Sequence, residues 1–177
     1  MEFNHYRLTS RWELAAGPGT VYAALRDVEH YPLWWPQVRR ATTPAQPPGE
    51  PGGASVASGR LLIRSVLPYD LLLTVRARRQ DEAAGVLEAE LSGDLVGWSR
   101  WTVRPAGSGS RAVFEEDVRP GKPLMRRLAL PARPLFLANH ALMMRSGERG
   151  LRAQLAGSRP GSTRLGAAHP DDGRPGT

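Results

Sequence analysis

The sequence predicts an α+β fold: an antiparallel β-meander with one long amphipathic helix laid across it at the C-terminal end. Three observations carry this. Residues His5 to Ala15 alternate Tyr6, Leu8, Ser10, Trp12 and Leu14 against His5, Arg7, Thr9, Arg11 and Glu13, the period of two that marks a half-buried strand. Between Ser55 and Pro120, short apolar-alternating runs are separated by turn residues. Near the C-terminus, Leu137, Ala141, Met144, Leu151 and Leu155 fall on one helical stripe, with Arg145, Arg149 and Arg152 off it.

With 177 residues and 41% apolar content, the chain is long enough to bury one core and short for two domains with a linker, so one domain is expected over residues 1–156. It contains no cysteine, which excludes a disulfide framework, a thiolate zinc site and a thiol nucleophile. No run approaches the roughly 18 to 20 apolar residues of a membrane helix. The stretch Met1-Glu2-Phe3-Asn4-His5 lacks the layout of a signal peptide, so a cytoplasmic protein is the default expectation. The formal charge of +7 is dispersed among Glu88, Glu90, Glu115, Glu116 and Asp117, which points to a solvated basic surface and not to a nucleic-acid partner.

After the first strand, Gly17-Pro18-Gly19-Thr20 breaks the pattern, and Gly19 or Thr20 can cap a short helix through Val21, Ala24, Leu25 and Val28. That helix is expected to halt near His30, because Tyr31 precedes Pro32 and is biased away from helical angles. Leu33-Trp34-Trp35-Pro36 follows as a second short helix or turn, whose paired indoles demand a large apolar partner. Four prolines and three glycines between Thr43 and Ala54 read as a surface loop.

Four strands are then expected, over Ser55 to Val66, Tyr69 to Arg79, Gly85 to Leu91 continuing toward Val103, and Arg111 to Val118. Leu67-Pro68, Asp81 to Gly85 and Ala106 to Gly109 supply the turns. Alternation turns one face inward: Leu71, Leu73, Val75 and Ala77, then Leu87, Ala89 and Leu91, then Trp101 and Val103, then Ala112, Phe114, Glu116 and Val118. This apolar face carries one acid. The final helix is expected to be interrupted at Pro131 and Pro134, and residues 157–177, almost devoid of apolar side chains, read as a disordered tail.

The segment Asp27-Val28-Glu29-His30-Tyr31-Pro32-Leu33-Trp34-Trp35-Pro36 resembles the polyketide cyclase/dehydrase and lipid-transport family of the START-like superfamily. The likeness continues at Ser92-Gly93-Asp94-Leu95, at Trp101-Thr102-Val103-Arg104-Pro105, and from Arg133-Pro134-Leu135-Phe136 through Asn139-His140 to Gly147-Glu148-Arg149-Gly150-Leu151. It runs colinearly over residues 5–156 and departs where relatives often carry an acid after Asn-His, at Ala141. The resemblance implies a helix-grip fold: a curved antiparallel sheet wrapped around the C-terminal helix, with two short helices after strand one and an apolar cavity for a hydrophobic ligand. It implies no single activity, because the superfamily holds cyclases, carriers and plain binders.

Within such a cavity, Trp34, Trp35, Trp98 and Trp101 are candidate ligand contacts, together with Leu73, Phe114, Asn139 and Met144; core packing or, for Trp98, surface exposure is the competing role. Glu116 and His140 are the candidate catalytic residues. A carboxyl desolvated beside Phe114 and Val118 can serve as general acid or base, unless a bulge turns it outward or an inward arginine such as Arg64 neutralises it. His140, beside the apolar stripe, can shuttle a proton or bond a ligand oxygen, or be structural. His5, His30 and His169 form no ligand cluster, so no metal is expected; glycines in turns give no phosphate loop, so no nucleotide cofactor is expected either. The expected partner is a small hydrophobic ligand held by a monomer or homodimer. Ligand binding, cyclase or dehydratase chemistry, and membrane-surface lipid carriage through Arg126, Arg127 and Arg133 beside Leu124, Met125 and Leu128 are the three readings.

Overall fold

The computed structural model describes residues 5–43, 58–65, 70–121 and 133–157. The loop expected after Thr43, the Leu67-Pro68 turn, the Leu124 to Arg127 basic-apolar segment, Leu128, Pro131 and the tail beyond Gly157 lie outside the described residues.

Seven strands form one antiparallel sheet: β1 (Tyr6–Leu14), β2 (Val38–Thr42), β3 (Ser58–Arg64), β4 (Asp70–Asp81), β5 (Val86–Gly93), β6 (Leu95–Ala106) and β7 (Gly109–Pro120), in the order β1-β7-β6-β5-β4-β3-β2. Between β1 and β2, at opposite ends of that order, run α1 (Pro18–Arg26), a single 3-10 turn (Val28–His30) and α2 (Tyr31–Trp34). The sheet curls into a half-barrel around α3 (Arg133–Gly157), a helix about 37 Å long at 1.5 Å per residue. No helix among the described residues is long and apolar enough to cross a membrane.

Alternation predicts the sheet's inner face correctly. Tyr6, Leu8, Trp12 and Leu14 of β1 are buried, as are Leu71 and Leu73 of β4, Trp101 and Val103 of β6, and Ala112 and Val118 of β7. The pairing of β7 with β1 and with β6 is regular through Glu116, which opposes Leu8 on one side and Ser99 on the other. No bulge intervenes, so Glu116 points inward with Phe114 and Val118. The outer face is laced across strands by charge, with Arg100 Nη2 2.8 Å from Glu88 and Arg7 Nε 3.1 Å from Asp117.

Several local expectations are corrected. The run from Gly85 to Val103 is two strands, because Gly93 takes φ +105° at the β5–β6 turn, where a Cβ would lie 2.6 Å from the Leu72 carbonyl oxygen. Asp94 fastens that turn: its carboxylate accepts the Leu72 N–H at 2.9 Å, and its own N–H donates to Leu72 O at 3.1 Å. Helix α1 is capped by Gly17 with Pro18 in its first turn, in place of Gly19 or Thr20. Tyr31 is helical (φ −53°, ψ −39°) despite Pro32, its ring buried and its hydroxyl donating to Leu25 O at 2.6 Å. Pro134 lies in the first turn of α3, where its missing N–H has no helical partner to lose, and causes no interruption.

The buried face of α3 is rotated from the expected stripe. Met144 and Leu151 are buried, but Leu137 is 41% exposed and Ala141 is exposed, and Asn139 and Gly147 are buried in their stead. Glycine sets this rotation. A Cβ on Gly147 would come within 2.6–2.9 Å of the Trp35 indole, and one on Gly150 would collide with the Trp34 carbonyl oxygen. The two glycines let α3 press directly onto α2, a contact that hydrophobic periodicity does not register because glycine has no side chain.

Candidate functional site

A cavity of about 360 Å³ lies between the curled sheet and α3. Its walls are apolar: Leu61 and Ile63 from β3, Leu73 and Val75 from β4, Leu91 from β5, and Met144 from α3. The exposed lining residues are Arg26 at the end of α1, Asp27 and Glu29 after it, Thr43 after β2, and Arg79 and Gln80 at the end of β4, and they mark the mouth.

An aromatic cluster forms one wall. Trp12 is 1% exposed at its centre, with ring centroids 4.6 Å from Trp101, 5.5 Å from Trp35 and 6.4 Å from Trp34. Trp34 and Trp35 stack at 5.4 Å, and Tyr31 packs against both. The Trp35 indole N–H donates to Met143 O at 3.0 Å, tying α2 to α3. From Trp101 the contacts pass to Phe114 at 4.8 Å and from Phe114 to the His140 ring at 6.2 Å, their planes nearly parallel at 22°. Burial drives the Tyr31 phenol well above its ordinary pKa, since the phenolate would lose its water.

In the buried part of the cavity, Glu116 of β7 and His140 of α3 face each other, with His140 Nε2 3.4 Å from Glu116 Oε2. Glu116 is 7% exposed. The separation allows a charge contact when the imidazole is protonated, but the alignment makes no hydrogen bond, and the buried Nε2 atom has no hydrogen-bond partner among the described residues. Beside them, Asn139 is buried and accepts from the Ser65 hydroxyl at 3.2 Å, while Ser99, opposite Glu116 on β6, also lines the cavity. Arg64, the arginine considered as a neutralising partner of Glu116, is exposed.

Of the residues expected from sequence, Trp35, Leu73, Trp101, Phe114, Glu116, Asn139, His140 and Met144 line the cavity. Two do not. Trp34 is buried beneath Gly150 in the aromatic cluster. Trp98 stands on the outer face with the Arg100 guanidinium 5.2 Å from its ring centroid. Residues three apart on one strand point to opposite faces, so Trp98 and Trp101 cannot both face inward. Sequence reasoning missed Tyr31 in the lining and Trp12 as the hub; the parity of Trp12 with Leu8 and Leu14 was the available signal for the latter. Among the described residues no group of three His, Asp or Glu side chains could hold a metal ion.

By sequence, the family model described as polyketide cyclase / dehydrase and lipid transport matches residues 5–156, and no curated protein matches the chain. By structure, the chain is similar to TTHA0849 from Thermus thermophilus, with TM-score 0.65 and 18% identity over 88% of this chain and 99% of that one. It is similar to a START superfamily protein from Mycobacterium smegmatis, with TM-score 0.59 and 19% identity over 85% and 98% of the two chains. It is also similar to the ZhuI aromatase/cyclase from Streptomyces sp. R1128, with TM-score 0.52 and 18% identity over 85% and 96%. At these identities the structures share the fold alone, whereas the family model spans most of the sequence: the chain belongs to the polyketide cyclase / dehydrase and lipid transport family.

Proposed function

We propose that the protein binds one small, largely apolar molecule in the cavity between sheet and α3, with a polar group of that molecule turned toward Glu116, His140 and Asn139. The carrying observation is the cavity itself, about 360 Å³ of apolar-walled space at the low end of the range for small-molecule sites, with its buried polar groups converging in one region. Tyr31, Trp35, Trp101 and Phe114 offer flat surfaces to a ring or chain.

Native mass spectrometry of the freshly purified protein, followed by solvent extraction, tests this reading. One apolar adduct per chain is expected, or saturable quenching of tryptophan emission by an added apolar probe such as 1-aminoanthracene. A bare chain that no apolar probe quenches overturns it.

A second reading is acid–base catalysis. It is favoured by His140 Nε2, buried 3.4 Å from Glu116 without a hydrogen-bond partner among the described residues, so that no structural bond there occupies it. The similarity to an aromatase/cyclase lends it a reaction. One member of the pair would take the proton from a carbon beside a carbonyl, and the other would deliver a proton to the hydroxyl that leaves as water. On this reading Glu116→Gln and His140→Ala abolish turnover while retaining ligand affinity, and unaltered turnover in both excludes it.

A further inference from the structure

The described lining of the cavity is acidic in a chain whose formal charge is +7. Its acids are Asp27, Glu29 and Glu116, the Glu88 side chain being turned to the outer face; its guanidiniums are those of Arg26 and Arg79. Both guanidiniums are engaged by carboxylates outside the lining, Arg79 at 2.6 Å from Asp81 and Arg26 at 3.9 Å from Glu82. At the rim, Asp27 is matched by His30 at 2.7 Å. Glu116 differs from these acids in being buried, and among the described residues its one cationic neighbour is His140, whose charge depends on a proton.

A carboxylate entering this space loses its hydration, finds in the described lining only guanidiniums that already face a carboxylate, Arg26 loosely, and meets the Glu116 carboxyl group at the buried end. An ammonium loses comparable hydration but approaches the Glu116 carboxylate and the rings of Tyr31, Trp35, Trp101 and Phe114, whose faces attract cations. The sign of the charge therefore matters over and above the cost of burying any charge.

We infer that the cavity selects cationic over anionic amphiphiles of the same apolar shape, with Glu116 setting the preference, so that free aliphatic and aryl carboxylic acids are poor ligands. This rests on the binding reading above. Three naphthalene probes that differ in their polar group test it by calorimetric titration at neutral pH: 1-naphthylmethylammonium, 1-naphthalenemethanol and 1-naphthoate. The ammonium is expected to bind at least roughly tenfold more tightly than the carboxylate, an effect well within that of one nearby unit charge at reduced dielectric. Glu116→Gln is expected to bring the two affinities together, chiefly by admitting the carboxylate, while the alcohol still binds. Equal or tighter binding of the carboxylate to the native chain overturns the inference, as does an unchanged ratio in a Glu116→Gln chain that still binds the alcohol. The native ratio is a test in its own right, independent of how the variant folds. If the alcohol also fails to bind the native chain, the cavity reading falls and this inference with it.

Discussion

Replacing Gly150 by alanine sets helix propensity against close packing. In the interior of a helix as long as α3, glycine to alanine ordinarily gains about 1 kcal/mol. Here the new Cβ is driven into the carbonyl oxygen of Trp34. That oxygen belongs to the backbone of α2, so no rotamer change relieves the collision and α3 must lift. Lifting disturbs the seat of Gly147 on Trp35 and the 3.0 Å bond from the Trp35 indole to Met143 O. Overpacking of this kind costs about 1–3 kcal/mol, and the lost indole bond adds about 1 kcal/mol. The expected balance is a net destabilisation of about 1–3 kcal/mol, or roughly 2–4 °C in Tm per kcal/mol for a chain of this size. Urea and thermal unfolding followed by tryptophan emission read it directly. Gly147→Ala meets the Trp35 side chain, which has more freedom to yield, and should cost less. A Gly150→Ala chain as stable as the native one, or more stable, would refute the argument that close helix–helix approach placed glycine there.

Two further outcomes follow from buried polar groups. Asp94→Ala should cost about 1–3 kcal/mol by orphaning the Leu72 N–H, and hydrogen exchange at Leu72 should quicken selectively; unaltered exchange there would show that the carboxylate is dispensable. The Tyr31 phenol, raised in the folded chain by burial, should make stability fall at alkaline pH. Below the ordinary phenol pKa of about 10 its contribution is constant; above it the unfolded chain releases the proton while the folded chain retains it, so unfolding is favoured. Tyr31→Phe should flatten that alkaline slope while losing about 1 kcal/mol for the bond to Leu25 O, and urea midpoints across the alkaline range would show an undiminished slope if the assignment were wrong.

Strand parity was the most legible signal in the sequence. The spacing of Phe114, Glu116 and Val118 carried Glu116 to the cavity wall because β7 pairs on both sides without a bulge. The same rule, applied across the whole of β6, would have kept Trp98 out of the lining. Strand β2 was not legible: in Val38-Arg39-Arg40-Ala41-Thr42 the register shifts between Val38 and Arg40, so the apolar alternation is broken within five residues. The seat of α3 was misread for a different reason. Its tightest contacts are made by Gly147 and Gly150, whose contribution is the absence of a side chain, and hydrophobic patterning counts only what is present. The meeting of Glu116 and His140 depends on how α3 is rotated over the sheet, which neither segment encodes alone.

The strand order has a consequence for how the chain is assembled. Strand β1 finds its neighbour in β7, with Tyr6 opposite Val118 and Leu14 opposite Ser110. The first strand synthesised thus waits for the last before its backbone is paired, and a meander of five strands and two short helices must be laid down in between. Closing so long a loop costs entropy before any contact rewards it, which places folding among the slow, high-contact-order proteins, on the order of milliseconds to seconds. Trp12 rides on β1 and Trp101 on β6, so their 4.6 Å contact forms only once β7 has paired with both strands and brought them together. During synthesis, a ribosome must expose nearly the whole sheet before the aromatic wall exists, and the β1 backbone is most open to mispairing over that interval.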